Sequence, residues 1–312
     1  MSKKLRKSRT TIAYFVTDHG YGHATRAAAV MGALTREDPG IRFEIFTTAP
    51  QWLFEDLQPI QYRYHPMKTD IGLVQPSPFE VDLQATVSEL GKTLPFDAGQ
   101  VAKTAAYLKD IDTRMIICDI APIGIDIAEK SGLPSVLVEN FTWDWIYAGY
   151  HDSHGGLRRF SELLRKTYGS AKLRIQAQPC CRPVAAGLKT RPVCRPVSRG
   201  SAAVRSDLNI PPSKAMVLLS MGGLAARRHF PPSLPDIPDT VFVLPGGGKT
   251  LQASENLILL PPRSELRHPD LVSAADAVIG KVGYSTVAEV FQAGVAFGYL
   301  TREDFRESAV LA

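Results

Sequence analysis

The stretch that most constrains this chain is TIAYFVTDHGYGHATRAAAVMGAL, residues 11–34. Ile12, Tyr14, Phe15 and Val16 form a short apolar run, the pattern of a parallel strand covered on both faces. Gly20 and Gly22 let the backbone turn sharply and come close to a ligand. Residues 24–34 are rich in alanine and leucine, which favour helix. Strand, glycine turn and helix in that order open a doubly wound α/β sheet. His19, Gly22, His23 and Arg26 then sit at the carboxyl end of a strand, where such sheets bind ligands. The free N–H groups of the helix start favour anions at the same place.

Strands and helices alternate beyond this unit. Residues 41–48 and 61–66 read as strands, with a short helix or loop at 50–57 between them. Residues 70–99 are mixed and broken by Pro76, Pro78 and Pro95, an insertion of the kind that can shape an acceptor pocket. Residues 98–110 read as a helix, 115–120 as a buried strand ending near Asp119, 123–131 as a helix and 135–140 as a strand. Alternation of this kind predicts a doubly wound parallel sheet. Residues 151–176 read as helical. Residues 179–200, rich in proline, arginine and cysteine, carry no period and mark an interdomain connection. A second α/β set follows, with strands at 214–220, 240–245, 255–262 and 295–300 and a helix–strand–turn–helix unit over 268–294. The expected division is a first Rossmann-like domain over 1–190 and a second over 191–312. The second set ends sooner than such a sheet normally does, which reads as a truncated domain.

Composition narrows the function classes. The chain has 312 residues, 45% hydrophobic and 21% charged, enough apolar side chains for a core. No apolar run approaches the roughly 18 residues that span a bilayer. The basic start, MSKKLRKSRT, is not followed by the apolar region of a secretory signal. Cys118, Cys180, Cys181 and Cys194 show no C-x-x-C spacing, so neither a zinc site nor any other metal site is expected. A reducing, cytoplasmic setting fits them. The net charge of +5 is spread over the N-terminal tail and over 158–205. A solvated face explains it, with a peripheral membrane contact or an anionic substrate as the functional alternative. No helix-turn-helix, zinc-finger or RNA-stacking motif points to nucleic acid.

Two glycine-loop halves would leave a cleft between them. The first half offers His23, Arg26 and Asp119, the second Gly222, Gly223, Lys281, Ser285, Thr286 and Glu289. In GYSTVAEV, Gly283 permits a tight turn, and Ser285 and Thr286 place hydroxyls and N–H groups at a helix start. That arrangement suits a diphosphate, and Glu289 lies one turn further on, placed to hold ribose hydroxyls. An ordinary capped helix with a surface glutamate is the structural alternative. His23 can deprotonate an acceptor hydroxyl near neutral pH, and Asp119 can orient its ring. Trp143 and Trp145 either stack on a sugar or pack the sheet edge. GYGHAT departs from a dinucleotide fingerprint, because Thr25 replaces the third glycine and the second strand ends without an acid. PGGGKT lacks the first glycine of a phosphate-binding Walker loop, where Val243 stands, and reads as a turn.

VTDHGYGHATR, ICDIAPIGIDIA, ENFTWDWIYAGY and HPDLVSAADAVIGKVGYSTVAEV together resemble the GT-B glycosyltransferases. The resemblance is nearest to the glycosyltransferase-like segment of arabinokinases and stand-alone bacterial relatives. It implies two Rossmann-like domains facing across a cleft and inverting, metal-independent transfer from a nucleotide sugar, with no further cofactor. The acceptor would be a glycan, a lipid or a small molecule, and the transferred group of the hexosyl or N-acetylhexosaminyl type. The resemblance makes His23 the general base and Asp119 its partner. It puts Gly222, Gly223 and Lys281 at the donor diphosphate and Glu289 at the ribose. It puts Glu303 and Glu307 at the donor sugar, where this sequence departs from the usual Asp-Gln. A non-catalytic nucleotide-sugar-binding module and a nucleotide-sugar epimerase are the alternatives.

Overall fold

The computed structural model describes residues 10–55, 60–77, 79–185, 187–221 and 234–312. The chain divides into two compact units. One takes in residues 1–19, 23–75 and 81–191, the other residues 20–22, 76–80 and 192–312.

In the first unit, β1 (Thr11–Val16) leads through a tight turn into α1 (Tyr21–Glu37). Gly20 makes that turn with φ of +79°, a conformation that side chains rarely tolerate. Then come β2 (Arg42–Thr47), α2 (Trp52–Glu55) and β3 (Gln61–Pro66). The 70–99 stretch is more ordered than its prolines suggest. It holds a small two-stranded piece, β4 (Val74–Ser77) with β5 (Glu80–Asp82), and a full helix, α3 (Leu83–Thr93). Asp82 caps α3 by accepting from the Ala85 N–H at 2.8 Å, which satisfies a donor the helix leaves free. Next are α4 (Ala98–Asp110), β6 (Thr113–Asp119), α5 (Pro122–Ser131), β7 (Ser135–Glu139), α6 (Trp143–Ala148) and α7 (Arg158–Gly169).

The helical expectation for 151–176 fails at its end, where β8 (Leu173–Ala177) is a strand. LRIQA alternates apolar and polar residues, a strand period that the preceding amphipathic helix masks. Inside the 179–200 stretch, β9 (Leu188–Thr190) pairs with β8, so part of it is sheet edge. The sheet order is β3-β2-β1-β6-β7-β8-β9, with every pair parallel. All six residues of β1 are buried, as a strand in the middle of a covered sheet must be.

The second unit repeats the plan. It runs through α8 (Ser201–Asp207), β10 (Ala215–Ser220), β11 (Thr240–Pro245), β12 (Gln252–Ser254) and β13 (Leu257–Leu260). After these come α9 (His268–Ala274), β14 (Ala277–Lys281), α10 (Tyr284–Ala293), β15 (Ala296–Leu300) and the single turn α11 (Ser308–Leu311). Its order is β12-β13-β11-β10-β14-β15, parallel except for β12 against β13. Met216, Leu218, Val243, Ile258, Leu271 and Val278 form the middle of its core. The PGGGKT stretch is a turn, with Gly246 at φ of +74°. No described helix is long and apolar enough to cross a membrane.

Candidate functional site

Each sheet has one place where its strand order reverses. In the first unit it lies between β1 and β6, and in the second between β10 and β14. Helices leave opposite faces of the sheet there, and the carboxyl ends of the strands open a crevice for a ligand. His23 follows β1, Asp119 ends β6, Ser220 ends β10 and Lys281 ends β14.

At the first of these points His23 stands in the first turns of α1, 8% exposed. Its Nδ1 lies 2.8 Å from Asp119 Oδ1. Its Nε2 makes no hydrogen bond to a described residue. Arg26, one turn on, is 1% exposed. Its Nε donates to Asp119 Oδ2 at 2.8 Å and its Nη2 to Oδ1 at 2.6 Å. Its Nη1 donates to Asn140 Oδ1 at 2.6 Å. Burial alone would raise the Asp119 carboxyl. The Arg26 charge and hydrogen bonds, with a further bond from His23, outweigh burial and hold it below the usual carboxylate range. Asp119 is therefore ionised and can accept the Nδ1–H of His23, which leaves the Nε2 lone pair to take a proton. Ile120, directly after Asp119, sits at φ of +47°. A β-branched residue there is strained, and the surrounding pairing must hold it.

A second buried acid supports the same loop. Asp70 accepts from the Thr17 hydroxyl at 2.8 Å and from the Trp143 indole N–H at 3.0 Å. Burial, with the nearby Asp18 charge, pushes its carboxyl up to about 7, although both hydrogen bonds pull the other way. His19 packs edge-on against Trp143, ring centres 4.9 Å apart. Trp143 is fully buried, so it packs the interior and does not offer a face to a sugar. Trp145 is buried too, and Asp144 lies 3.0 Å from Arg182.

At the second point the residues of GKVGYSTVAEV converge. Lys281 is partly buried and makes no hydrogen bond or ion pair to a described residue. Burial, with the neighbouring Arg302 charge, brings its ammonium down to about 8, against the opposing pull of Glu307. Gly283 is the N-cap of α10 and supplies no side-chain cap to the helix start at Tyr284, Ser285 and Thr286. Glu289 is 4% exposed and faces His268, whose Nδ1 bonds its Oε2. His268 Nε2 in turn lies 2.9 Å from Ser220 Oγ. The surface-glutamate alternative for Glu289 is thereby set aside.

Glu303 is exposed, whereas Glu307 is buried with an oxygen 3.8 Å from Arg302. The two acids thus differ in environment, and Glu307 already has a cationic neighbour. Gly222 and Gly223 lie outside the described residues. Reading the sequence missed Asn140, Asp70, Ser220 and His268. Ser220 had a signal, since it ends an apolar strand before a glycine pair. His268 had none, as HPDLVSAAD reads as an ordinary helix start.

No family model matches the chain. The chain is 29% identical over 306 residues to the L-arabinokinase of Arabidopsis thaliana, a match covering 96% of this chain and 29% of that protein. Among solved structures it is similar to MurG of Acinetobacter baumannii, with a TM-score of 0.53 and 18% identity over 96% of this chain and 82% of the other. The glycosyltransferase of kitacinnamycin gives 0.65 and 14% over 97% and 84%. UGT71G1 of Medicago truncatula, solved with UDP-glucose, gives 0.60 and 13% over 96% and 82%.

The fold is GT-B. Placed on that fold, the two reversal points are the carboxyl-end crevices of its two Rossmann-like halves. The GT-B fold is shared with MurG and with plant UDP-glucosyltransferases. The chain spans less than a third of the arabinokinase it matches.

Proposed function

We propose that the chain is a glycosyltransferase that moves a sugar from a nucleoside-diphosphate sugar to an acceptor hydroxyl, inverting the anomeric centre without a metal ion. The observation that carries the reading is the His23–Asp119 pair, with Nδ1 tied to the acid and Nε2 clear. In the reaction Nε2 takes the proton of the acceptor hydroxyl as its oxygen bonds the anomeric carbon. The bond from that carbon to the diphosphate oxygen breaks, and its electron pair leaves with the nucleoside diphosphate. Asp119 steadies the resulting imidazolium.

The second unit would hold the donor. The α10 N–H groups and the Lys281 ammonium suit a diphosphate, whose charge grows as it leaves. Glu289 suits the ribose hydroxyls. Glu303 and Glu307 are assigned to the donor sugar, and Gly222 and Gly223 to the phosphates. His19, Gly22 and Arg26 belong to the acceptor side, where Arg26 acts through Asp119. The acceptor is a glycan, lipid or small molecule, the setting is cytoplasmic, and the donor is the only small-molecule partner besides it. The domain division is placed at 190/191.

A second reading, a donor-binding module without transfer, is favoured by the match to a stretch of a much longer protein named as a kinase. Melting curves with nucleoside diphosphates, their sugars and NAD, followed by transfer assays with simple acceptors, separate the two. Stabilisation by a nucleotide sugar with turnover supports the transferase. Stabilisation without turnover supports the module, and stabilisation by NAD alone overturns both.

A further inference from the structure

Three side chains far apart in sequence form one hydrogen-bonded line at the second reversal point. Ser220 ends β10, His268 opens α9 and Glu289 lies in the second turn of α10. Ser220 Oγ is 2.9 Å from His268 Nε2, and His268 Nδ1 meets Glu289 Oε2. Ser220 is 5% and Glu289 4% exposed. Among the described residues, Glu289 has no other hydrogen-bond partner.

An ionised Glu289 is acceptor-only, so His268 must present Nδ1–H to it. In a neutral ring Nε2 is then the lone-pair nitrogen and accepts a hydrogen bond from the Ser220 hydroxyl. With the ring neutral the line has one direction: Ser220 donates to His268, and His268 donates to Glu289. It fixes the tautomer of the ring and occupies one oxygen of the carboxylate. The other oxygen, Oε1, stays available as an acceptor.

Holding a glutamate in one rotamer costs side-chain entropy. A carboxylate fixed before the ligand arrives does not charge that cost to binding. We propose that His268, oriented by Ser220, is a positioning residue that sets Glu289 to accept hydrogen bonds from the cis-diol of a ribonucleotide, and so makes the site select ribose over deoxyribose. This rests on the reading of Glu289 as the ribose acid.

The test is calorimetric binding of the four common ribonucleoside diphosphates and their 2′-deoxy counterparts, with inorganic pyrophosphate alongside. The wild type is expected to bind at least one ribonucleotide about tenfold or more tighter than its deoxy form, the worth of a hydrogen bond to a charged group. Glu289→Gln and His268→Leu should both collapse that ratio towards one and leave pyrophosphate binding unchanged. His268→Asn places an amide N–H where Nδ1–H was and should restore part of the ratio. Ser220→Ala should reduce it less than His268→Leu does. A merely structural role for His268 would weaken pyrophosphate in step with the nucleotides, and that result overturns the proposal. A ratio lost in Glu289→Gln but kept in His268→Leu overturns this inference alone. A wild type with no ribose preference, or none of the four bound, overturns the ribose reading of Glu289 and this inference with it.

Discussion

Arg26 grips both oxygens of Asp119, with Nε 2.8 Å from Oδ2 and Nη2 2.6 Å from Oδ1. A two-pronged pair of this kind fixes the plane of the carboxylate as well as its charge. His23 therefore meets an acid whose direction is already set. Because both partners are buried, removing one strands the other. Arg26→Leu should lower the unfolding free energy by about 3–5 kcal/mol, read from denaturant midpoints. Arg26→Lys keeps the charge but not the fork and should fall between. A loss under about 1 kcal/mol for Arg26→Leu would match an exposed pair instead.

Asp70 gives the fold a pH dependence of definite sign. Its carboxyl titrates near 7 in the native state and about 4 when unfolded. The native state thus holds this proton more tightly, so the contribution to stability is full below about pH 4 and is lost as pH rises to about 7. Asp70→Asn has no such proton. Denaturation at a series of pH values should show the variant gaining on the wild type across that window. A constant difference between the two would contradict this.

Lys281 predicts a limit on donor binding. Its ammonium titrates near 8, and only the charged form attracts a diphosphate. Calorimetry with UDP should show constant affinity below about pH 8 and a fall of up to about tenfold per pH unit above it. Lys281→Met should bind more weakly and lose this dependence. A wild-type affinity flat through about pH 10 would remove Lys281 from the site.

Gly280 pairs with Ser220 across β10 and β14. A Cβ at Gly280 would stand 1.9 Å from the Ser220 carbonyl oxygen, so the strands could not keep their spacing. Gly280→Ala should destabilise the protein by about 3 kcal/mol or more, at the upper end of overpacking costs. Thermal melting checks it, and an unchanged midpoint would refute the close approach.

What could be read in advance follows from range. The strand–turn–helix at 11–34 and the GYST turn declare themselves through contiguous residues, as does the α/β alternation, while the GT-B fold comes from the family resemblance that these blocks carry. The His23–Asp119 pairing was legible because His23 opens the helix after one strand and Asp119 ends the neighbouring strand. The α3 helix is masked in the sequence by the prolines around it, although Asp82 caps it and Leu83, Val87 and Leu90 lie on one helical face. The β8 strand was absorbed into the helix before it. Asp70 with Trp143, and Ser220 with His268, are separated by 73 and 48 positions. Nothing local in the chain says that such residues touch.

The most direct measurement is a time course of nucleoside diphosphate release from a panel of nucleotide sugars, with acceptors present, for the wild type and for His23→Ala. The account predicts release and a glycosylated product from the wild type. His23→Ala should bind the same donor with similar affinity yet turn it over about a hundredfold or more slowly, the scale of a lost general base. Equal turnover by the two proteins would contradict it.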